Sequence, residues 1–255
     1  MGIVQHRHRG FKYINCQQNM HLHWLDPQDP FPPITQAFRE PNGLLAAGAD
    51  LSPVRLLDAY QRGIFPWYSA GEPILWWSPA PRCVIYPEKF HTSRSLQKLV
   101  RSKIFTVTSN RAFADVMQAC ATVDNRQYGT WITQDMLDAY CAMHELGWAH
   151  SIEVWQEDEL VGGVYGLAIG KIFFGESMFS YATDASKIAL LFLCRALVAL
   201  DLKLLDCQVE NPHLMSLGAQ NISGQRFQST LKENVYPATA LSCADLEKTL
   251  EQLQV

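Results

Sequence analysis

The sequence has no CxxC pair, no run of apolar residues long enough to span a bilayer, and no surplus of positive charge. Its seven cysteines (Cys16, Cys83, Cys120, Cys141, Cys194, Cys207 and Cys243) are scattered and odd in number. That spacing argues against a zinc site or a disulfide framework and for reduced thiols in a cytosol. The longest apolar stretch, Ile188–Leu200, is broken by Arg195 and is too short to cross a membrane. The first residues are polar, with His6, Arg7, His8 and Arg9, and do not form a secretory signal. The formal net charge of −4 means that any nucleic acid must be met by a local basic patch. Charged residues make up only 18% of the 255 positions and hydrophobic ones 48%, so a sizeable core is expected rather than disorder.

What is present divides the chain into three parts. Residues 1–23 lack helical or strand periodicity and read as a disordered extension, in which Met20 could be the biological start. Residues 24–81 read as a small N-terminal domain. It opens on the proline-rich DPQDPFPP and carries a helix with Ser52 as N-cap and Pro53 at its first position, which Gly63 ends. The stretch Ile64–Pro81, dense in aromatics, Pro and Gly, reads as a rigid, loop-rich surface.

Residues 82–255 alternate elements. Helices are expected at Arg94–Arg101, at Arg111–Ala121 with Asn110 as cap, and from a Thr133 cap to Leu146. Three strands follow at Ser151–Gln156, Leu160–Ile169 and Lys171–Phe179, turning at Glu157–Glu159 and Gly170. A long apolar helix (Asp184–Leu200), a strand (Lys203–Val209) and a short helix near Pro212–Leu217 complete the pattern. Meander, central helix, strand and helix is the order of an α+β fold of the acetyltransferase-like (GNAT-like) type, an analogy of pattern that carries no function.

Polar intrusions in apolar strands are the candidate site residues. Alternation along LLDCQV puts Leu204, Asp206 and Gln208 on one face, and buried Asp and Gln need partners. Spacing alone favours a structural pair. Alternation along IFFGESMFS puts Phe174, Glu176 and Met178 on one face. There Glu176 could receive a ligand cation or pair with a neighbour such as Lys187. Leu190, Leu193 and Leu197 form one helix face, which periodicity alone reads as core. Trp67, Trp76, Trp77 and Trp131 lie in loop-like contexts, fit for base stacking or for packing between domains. Arg94, Lys98, Arg101 and Lys103 form a modest basic cluster, fit for phosphates or for plain solvation.

Taken in order, EPNGLLAAGADLSP, YQRGIFPWYS, PILWWSPAPR, GTWIT, HELGWAHSIEVW, ELVGGVYGLAIG, FFGESMFS, ASKIAL and LLDCQV resemble the leucyl/phenylalanyl-tRNA–protein transferases over about Trp24 to Gly218. The resemblance implies a small N-terminal domain followed by a GNAT-like catalytic domain. The implied activity is a cytoplasmic one: transfer of Leu, Phe or Met from Leu-tRNA, Phe-tRNA or Met-tRNA to proteins with N-terminal Arg or Lys. It marks them for degradation and needs no metal or organic cofactor. It assigns Asp206 and Gln208 as the catalytic pair, Glu176 to the acceptor's N-terminal Arg or Lys, and Trp67 and Trp131 to the terminal adenosine. Val164, Met178, Leu190, Leu193 and Leu197 are assigned to the aminoacyl side-chain pocket, with the basic cluster on the tRNA backbone. Two features depart from the family pattern. GGD is Gly48-Ala49-Asp50 here, and the pocket positions on the long helix are aliphatic.

Such a reaction is aminolysis of an ester. An α-amine with a reference pKa of about 7.7–8.0 is largely protonated at neutral pH and must lose a proton before it attacks. Gln208 can orient the amine but cannot take that proton. Asp206 could take it or merely hold Gln208, and the tRNA ribose hydroxyl is a third carrier. An acetyl-CoA-dependent acetyltransferase is the main rival, but its pyrophosphate loop needs glycines and the junction here reads SYATDASK. Transfer to cell-wall precursors fits the tryptophan-bearing motifs less well, and a tRNA-sequestering protein leaves Asp206, Gln208 and Glu176 without a use.

Overall fold

A computed structural model describes residues 21–123 and 132–254. Trp131, the 6–9 His/Arg run and the rest of residues 1–20 fall outside them. The chain is α+β with two sheets. The smaller sheet contains β1 (His23–Leu25), β2 (Leu44–Gly48), β3 (Phe65–Pro66) and β4 (Leu75–Trp77) in the order β1-β2-β4-β3, with helix α1 (Pro53–Gln61) between β2 and β3. The aromatic-rich stretch is therefore a hairpin rather than a loop: Phe65 pairs with Trp77 and Pro66 with Trp76. Trp76 is fully buried and its indole N–H donates to the Gly48 carbonyl at 2.9 Å.

The larger sheet has the order β11-β5-β10-β9-β8-β7-β6. Its strands and helices run β5 (Arg82–Ile85), α2 (Arg94–Arg101), β6 (Thr106–Ser109), α3 (Phe113–Thr122), α4 (Gln134–Glu145), β7 (Ala149–Gln156), β8 (Glu159–Ile169), β9 (Ile172–Ser180), α5 (Ala185–Ala199), β10 (Leu204–Asp206), α6 (Pro212–Ser216), β11 (Gln220–Ile222), α7 (Gly224–Asn234) and α8 (Cys243–Leu253). Local chemistry sets several boundaries. Ser52 and Thr133 cap α1 and α4 through their hydroxyls, at 3.4 and 3.3 Å from the Arg55 and Met136 amides. Asn110 does not cap α3. It sits at φ 59 and accepts the Ser151 N–H on its side-chain oxygen, and α3 begins three residues later, at Phe113.

Two apolar clusters sandwich the larger sheet. One joins α1, α3, α4 and α7 to one face and to the smaller sheet; the other joins α2, α5, α6 and α8 to the opposite face. Helix α5 is apolar nearly all round and buries ten of its residues, as a helix enclosed by other elements must. Each buried leucine on it contributes about 1.5–3 kcal/mol.

Candidate active site

The strand expected at 203–209 is shorter. β10 pairs in parallel with β9 only from Leu204–Ile172 to Asp206–Phe174, while β9 continues to Ser180. Past Asp206 the chain turns away, with Gln208 in the left-handed region at φ 55. Asp206 and Gln208 thus do not share a strand face. The two strands splay instead, and a cleft of about 320 Å³ opens where they part. Phe65, Pro66 and Trp67 form one wall, residues 207–211 the other, and Glu176 faces in from β9.

A β-bulge aims Glu176. Gly166 on β8 pairs with Gly175 and Tyr165 with Ser177, so Glu176 is the extra residue. The alternation expected along IFFGESMFS therefore slips by one position. Phe174 and Phe179, five apart, both join the first cluster, and Met178 packs with the second, on the other side of the sheet from Phe174. The bulge depends on glycine. A Cβ at Gly166 would stand 2.1 Å from the Phe174 carbonyl oxygen, far inside contact distance. Gly166→Ala is expected to destabilise the fold by about 1–3 kcal/mol and to displace Glu176. Thermal unfolding together with a transfer assay checks this, and wild-type values in both would remove the bulge from the site.

Glu176 is half-buried and held by hydroxyls, not by an ion pair. Tyr60 from α1 donates to its Oε1 at 2.7 Å and Tyr140 from α4 to its Oε2 at 3.3 Å, while Lys187 pairs with Asp184 at 2.7 Å. Burial pushes the Glu176 carboxyl up to about 7, and the Asp206 charge acts the same way; the two tyrosine hydrogen bonds and the Arg82 charge oppose them. Burial and the Glu176 charge hold both phenols well above their ordinary range, so they remain donors. Gln208 closes the arrangement, its Nε2 donating to Glu176 Oε1 at 3.4 Å. Its amide oxygen is left as an acceptor beside the cleft.

Asp206 lies behind this layer, with no accessible surface. Arg82 on β5 grips it with two charge-assisted bonds, Nε to Oδ1 at 2.8 Å and Nη2 to Oδ2 at 2.7 Å. Oδ1 also accepts the Gln208 backbone N–H at 3.0 Å. The guanidinium gives a third bond to the Gly63 carbonyl at 3.1 Å and lies over the rings of Phe65 and Phe227, at 5.1 and 4.5 Å from their centroids. Arg82 was not among the residues singled out from sequence. Its signal is one lone cation in the apolar strand RCVI and one lone anion in LLD, opposite charges that must meet if both are buried. Tyr60 and Tyr140 left no sequence signal beyond an aromatic on a buried helix face.

The other expected residues separate into groups. Trp67 is 48% exposed at the cleft wall, tilted against Trp77 with ring centroids 5.6 Å apart. Val164 pairs directly with Met178, and both pack in the second cluster with Leu190, Leu193 and Leu197. None of these five lines the cleft, and Leu193 and Leu197 have no accessible surface. Cys207 bridges the two regions, since it lines the cleft and packs against that cluster. Arg94, Lys98, Arg101 and Lys103 are all exposed on and just after α2. Among the described residues no His/Cys/Asp/Glu group could hold a metal ion, and no helix is long and apolar enough to cross a membrane. The six cysteines among them are free thiols.

Comparison with known proteins places these features in a family. The family model described as "Leucyl/phenylalanyl-tRNA protein transferase" matches residues 84–232, and that of the corresponding N-terminal domain matches residues 49–80. The "Leucyl/phenylalanyl-tRNA--protein transferase" of Cellvibrio japonicus is 55% identical over 209 residues, 82% of this chain and 89% of the relative. That of Pseudomonas fluorescens is 55% identical over 215 residues, 84% and 95% of the two chains. The solved structure of L-PGS from Bacillus licheniformis overlaps loosely, at 11% identity and a TM-score of 0.36 over 80% of this chain and 63% of that one.

Proposed function

The chain belongs to the leucyl/phenylalanyl-tRNA–protein transferase family, and on that premise we propose that it moves Leu, Phe or Met from its tRNA to the N-terminal Arg or Lys of acceptor proteins, in the cytoplasm. As a member it is an aminoacyltransferase, carrying an amino acid from tRNA to protein. The transfer marks the acceptor for degradation, and aminoacyl-tRNA is its donor with no metal or organic cofactor. The observation that carries the reading is the meeting of Gln208 and Glu176, 3.4 Å apart, in the cleft where β9 and β10 part.

In this reading the larger sheet forms a GNAT-like catalytic domain over residues 82–255, and residues 24–81 form an N-terminal domain that supplies Trp67. The terminal adenosine of the tRNA stacks on Trp67, and the exposed α2 cations meet its backbone. The ester lies beside Gln208. The donor side chain enters past Cys207 towards Met178 and Val164, with the α5 leucines behind them. Glu176 receives the positive charge at the acceptor's N-terminus. Gln208 orients the attacking nitrogen with its amide oxygen. Asp206 is a positioning residue: with both oxygens engaged and no accessible surface, it fixes the Gln208 backbone and does not touch substrate.

The test mixes the protein with radiolabelled Leu-tRNA and an Arg-starting peptide, with acetyl-CoA in a parallel arm. Label from leucine is expected on the peptide. Transfer of acetyl instead, or of nothing, would overturn the reading. Trp67→Ala is expected to raise the KM for Leu-tRNA about tenfold, since stacking on a base contributes about 1–3 kcal/mol. The Trp77 indole N–H bonds the Trp67 backbone carbonyl at 2.7 Å, a contact that alanine retains. An unchanged KM would remove Trp67 from the tRNA site.

A further inference from the structure

We propose that Glu176 is a catalytic base: it takes the proton from the acceptor's α-ammonium group, so the carboxylate that receives the acceptor also activates it. This rests on the transferase reading above and specifies which group at that site handles the proton.

The geometry selects Glu176 by accessibility and by neighbours. Two carboxylates stand near the cleft, Asp206 buried and Glu176 half-buried. Asp206 is sealed, with one oxygen shared between Arg82 and the Gln208 amide and the other held by Arg82. Glu176 faces the cleft. An amine oriented by the Gln208 amide oxygen therefore lies within reach of a carboxylate that the Gln208 amide nitrogen already touches at 3.4 Å. Its partners are neutral donors, Tyr60 from α1 and Tyr140 from α4, which favour the ionised form without neutralising it. The other titratable groups around it are Asp206 and the buried Arg82 behind, Tyr165 on β8 against the Tyr140 ring, and Glu210 at the cleft wall. No cation touches Glu176 directly among the described residues, which leaves it open to an incoming ammonium.

The pKa values suit the exchange. Burial pushes the Glu176 carboxyl up to about 7, and an α-amine has a reference value of about 7.7–8.0, so the two lie close enough for ready proton transfer at neutral pH. The step balances as follows. The α-ammonium gives one proton to the Glu176 carboxylate. The freed lone pair forms the C–N bond at the ester carbonyl carbon, and the C–O bond to the tRNA ribose breaks. The second amine proton leaves on the ribose oxygen, restoring the hydroxyl, and Glu176 returns its proton to solvent.

The deciding experiment is a pH series of single-turnover leucine transfer from Leu-tRNA to an Arg-starting peptide, at saturating concentrations, for the wild type, Glu176→Gln and Tyr140→Phe. The wild-type rate is expected to rise through pH about 7 and then level off, following ionisation of the base. Glu176→Gln can use only amine already free in solution, roughly a tenth of the total at pH 7. Its rate should lie several-fold below wild type there, level off only above the amine's own value of about 7.7–8.0, and converge on wild type near pH 9. Tyr140→Phe removes a hydrogen bond that favours the ionised carboxylate, so its acid limb should move to higher pH. A loss in Glu176→Gln that is equal at every pH, or an acid limb unmoved by Tyr140→Phe, would overturn the proposal. Absence of leucine transfer by the wild type would instead overturn the transferase reading.

Discussion

Asp206→Ala is expected to cost about 3–5 kcal/mol of folding stability, because it leaves the Arg82 guanidinium buried without its counter-charge. Arg82 has no accessible surface, is stacked against two phenyl rings, and directs two of its three bonds at Asp206. Its charge cannot reach water without opening the joint between β5 and β10. Replacing both partners, as Arg82→Met with Asp206→Leu, removes both desolvation penalties and should recover most of the loss. Leucine transfer should not recover with it, because Asp206 also accepts the Gln208 amide at 3.0 Å, and no apolar side chain does that. Urea midpoints measure the first effect and single-turnover transfer the second. An Asp206→Ala protein within about 1 kcal/mol of wild type would show that the pair is solvated and weak. A double variant that transfers leucine normally would free Gln208 from Asp206.

The division of labour between these two carboxylates was only half visible in the sequence. Helices announce themselves by caps and stops, so α1 and α4 begin and end within a residue or two of where Ser52, Gly63, Thr133 and Leu146 put them. Long strands announce themselves by alternation, and β7 to β9 lie where that pattern and the Glu157 and Gly170 turns require. The smaller sheet has strands of two to five residues, too short for any period to register, and its hairpin was hidden in a stretch rich in proline and glycine. The site defeated alternation for a sharper reason. At Glu176 a bulge inserts one residue, and after Asp206 the strand stops, so neither of the assumed faces exists. Both departures are what bring Glu176 and Gln208 together at the cleft. Arg82 was legible in principle, as a cation with no business in an apolar strand, but only once its opposite number in β10 was considered with it.

Gln208→Ala should abolish most turnover while leaving the fold nearly intact. Its backbone is fixed independently of the side chain: the N–H binds Asp206 Oδ1 at 3.0 Å and the carbonyl accepts the Cys83 N–H at 3.2 Å. Among the described residues the side chain makes one hydrogen bond, the long contact to Glu176, so truncation should change stability by about 1 kcal/mol or less. Its loss removes the amide that aligns the attacking nitrogen with the ester and tethers Glu176. A single positioned group of that kind typically contributes about 10²–10³ in rate. The positive φ of 55 supplies an internal control. Alanine keeps the strain of a left-handed residue and glycine relieves it. If the side chain matters for chemistry, Gln208→Ala and Gln208→Gly should lose the same factor in kcat, with the Kd for Leu-tRNA unchanged in both. Glycine should only be the more stable of the two. Should glycine retain turnover where alanine does not, the backbone turn and not the amide would be the functional element, and Glu176 would have to orient the amine as well as deprotonate it.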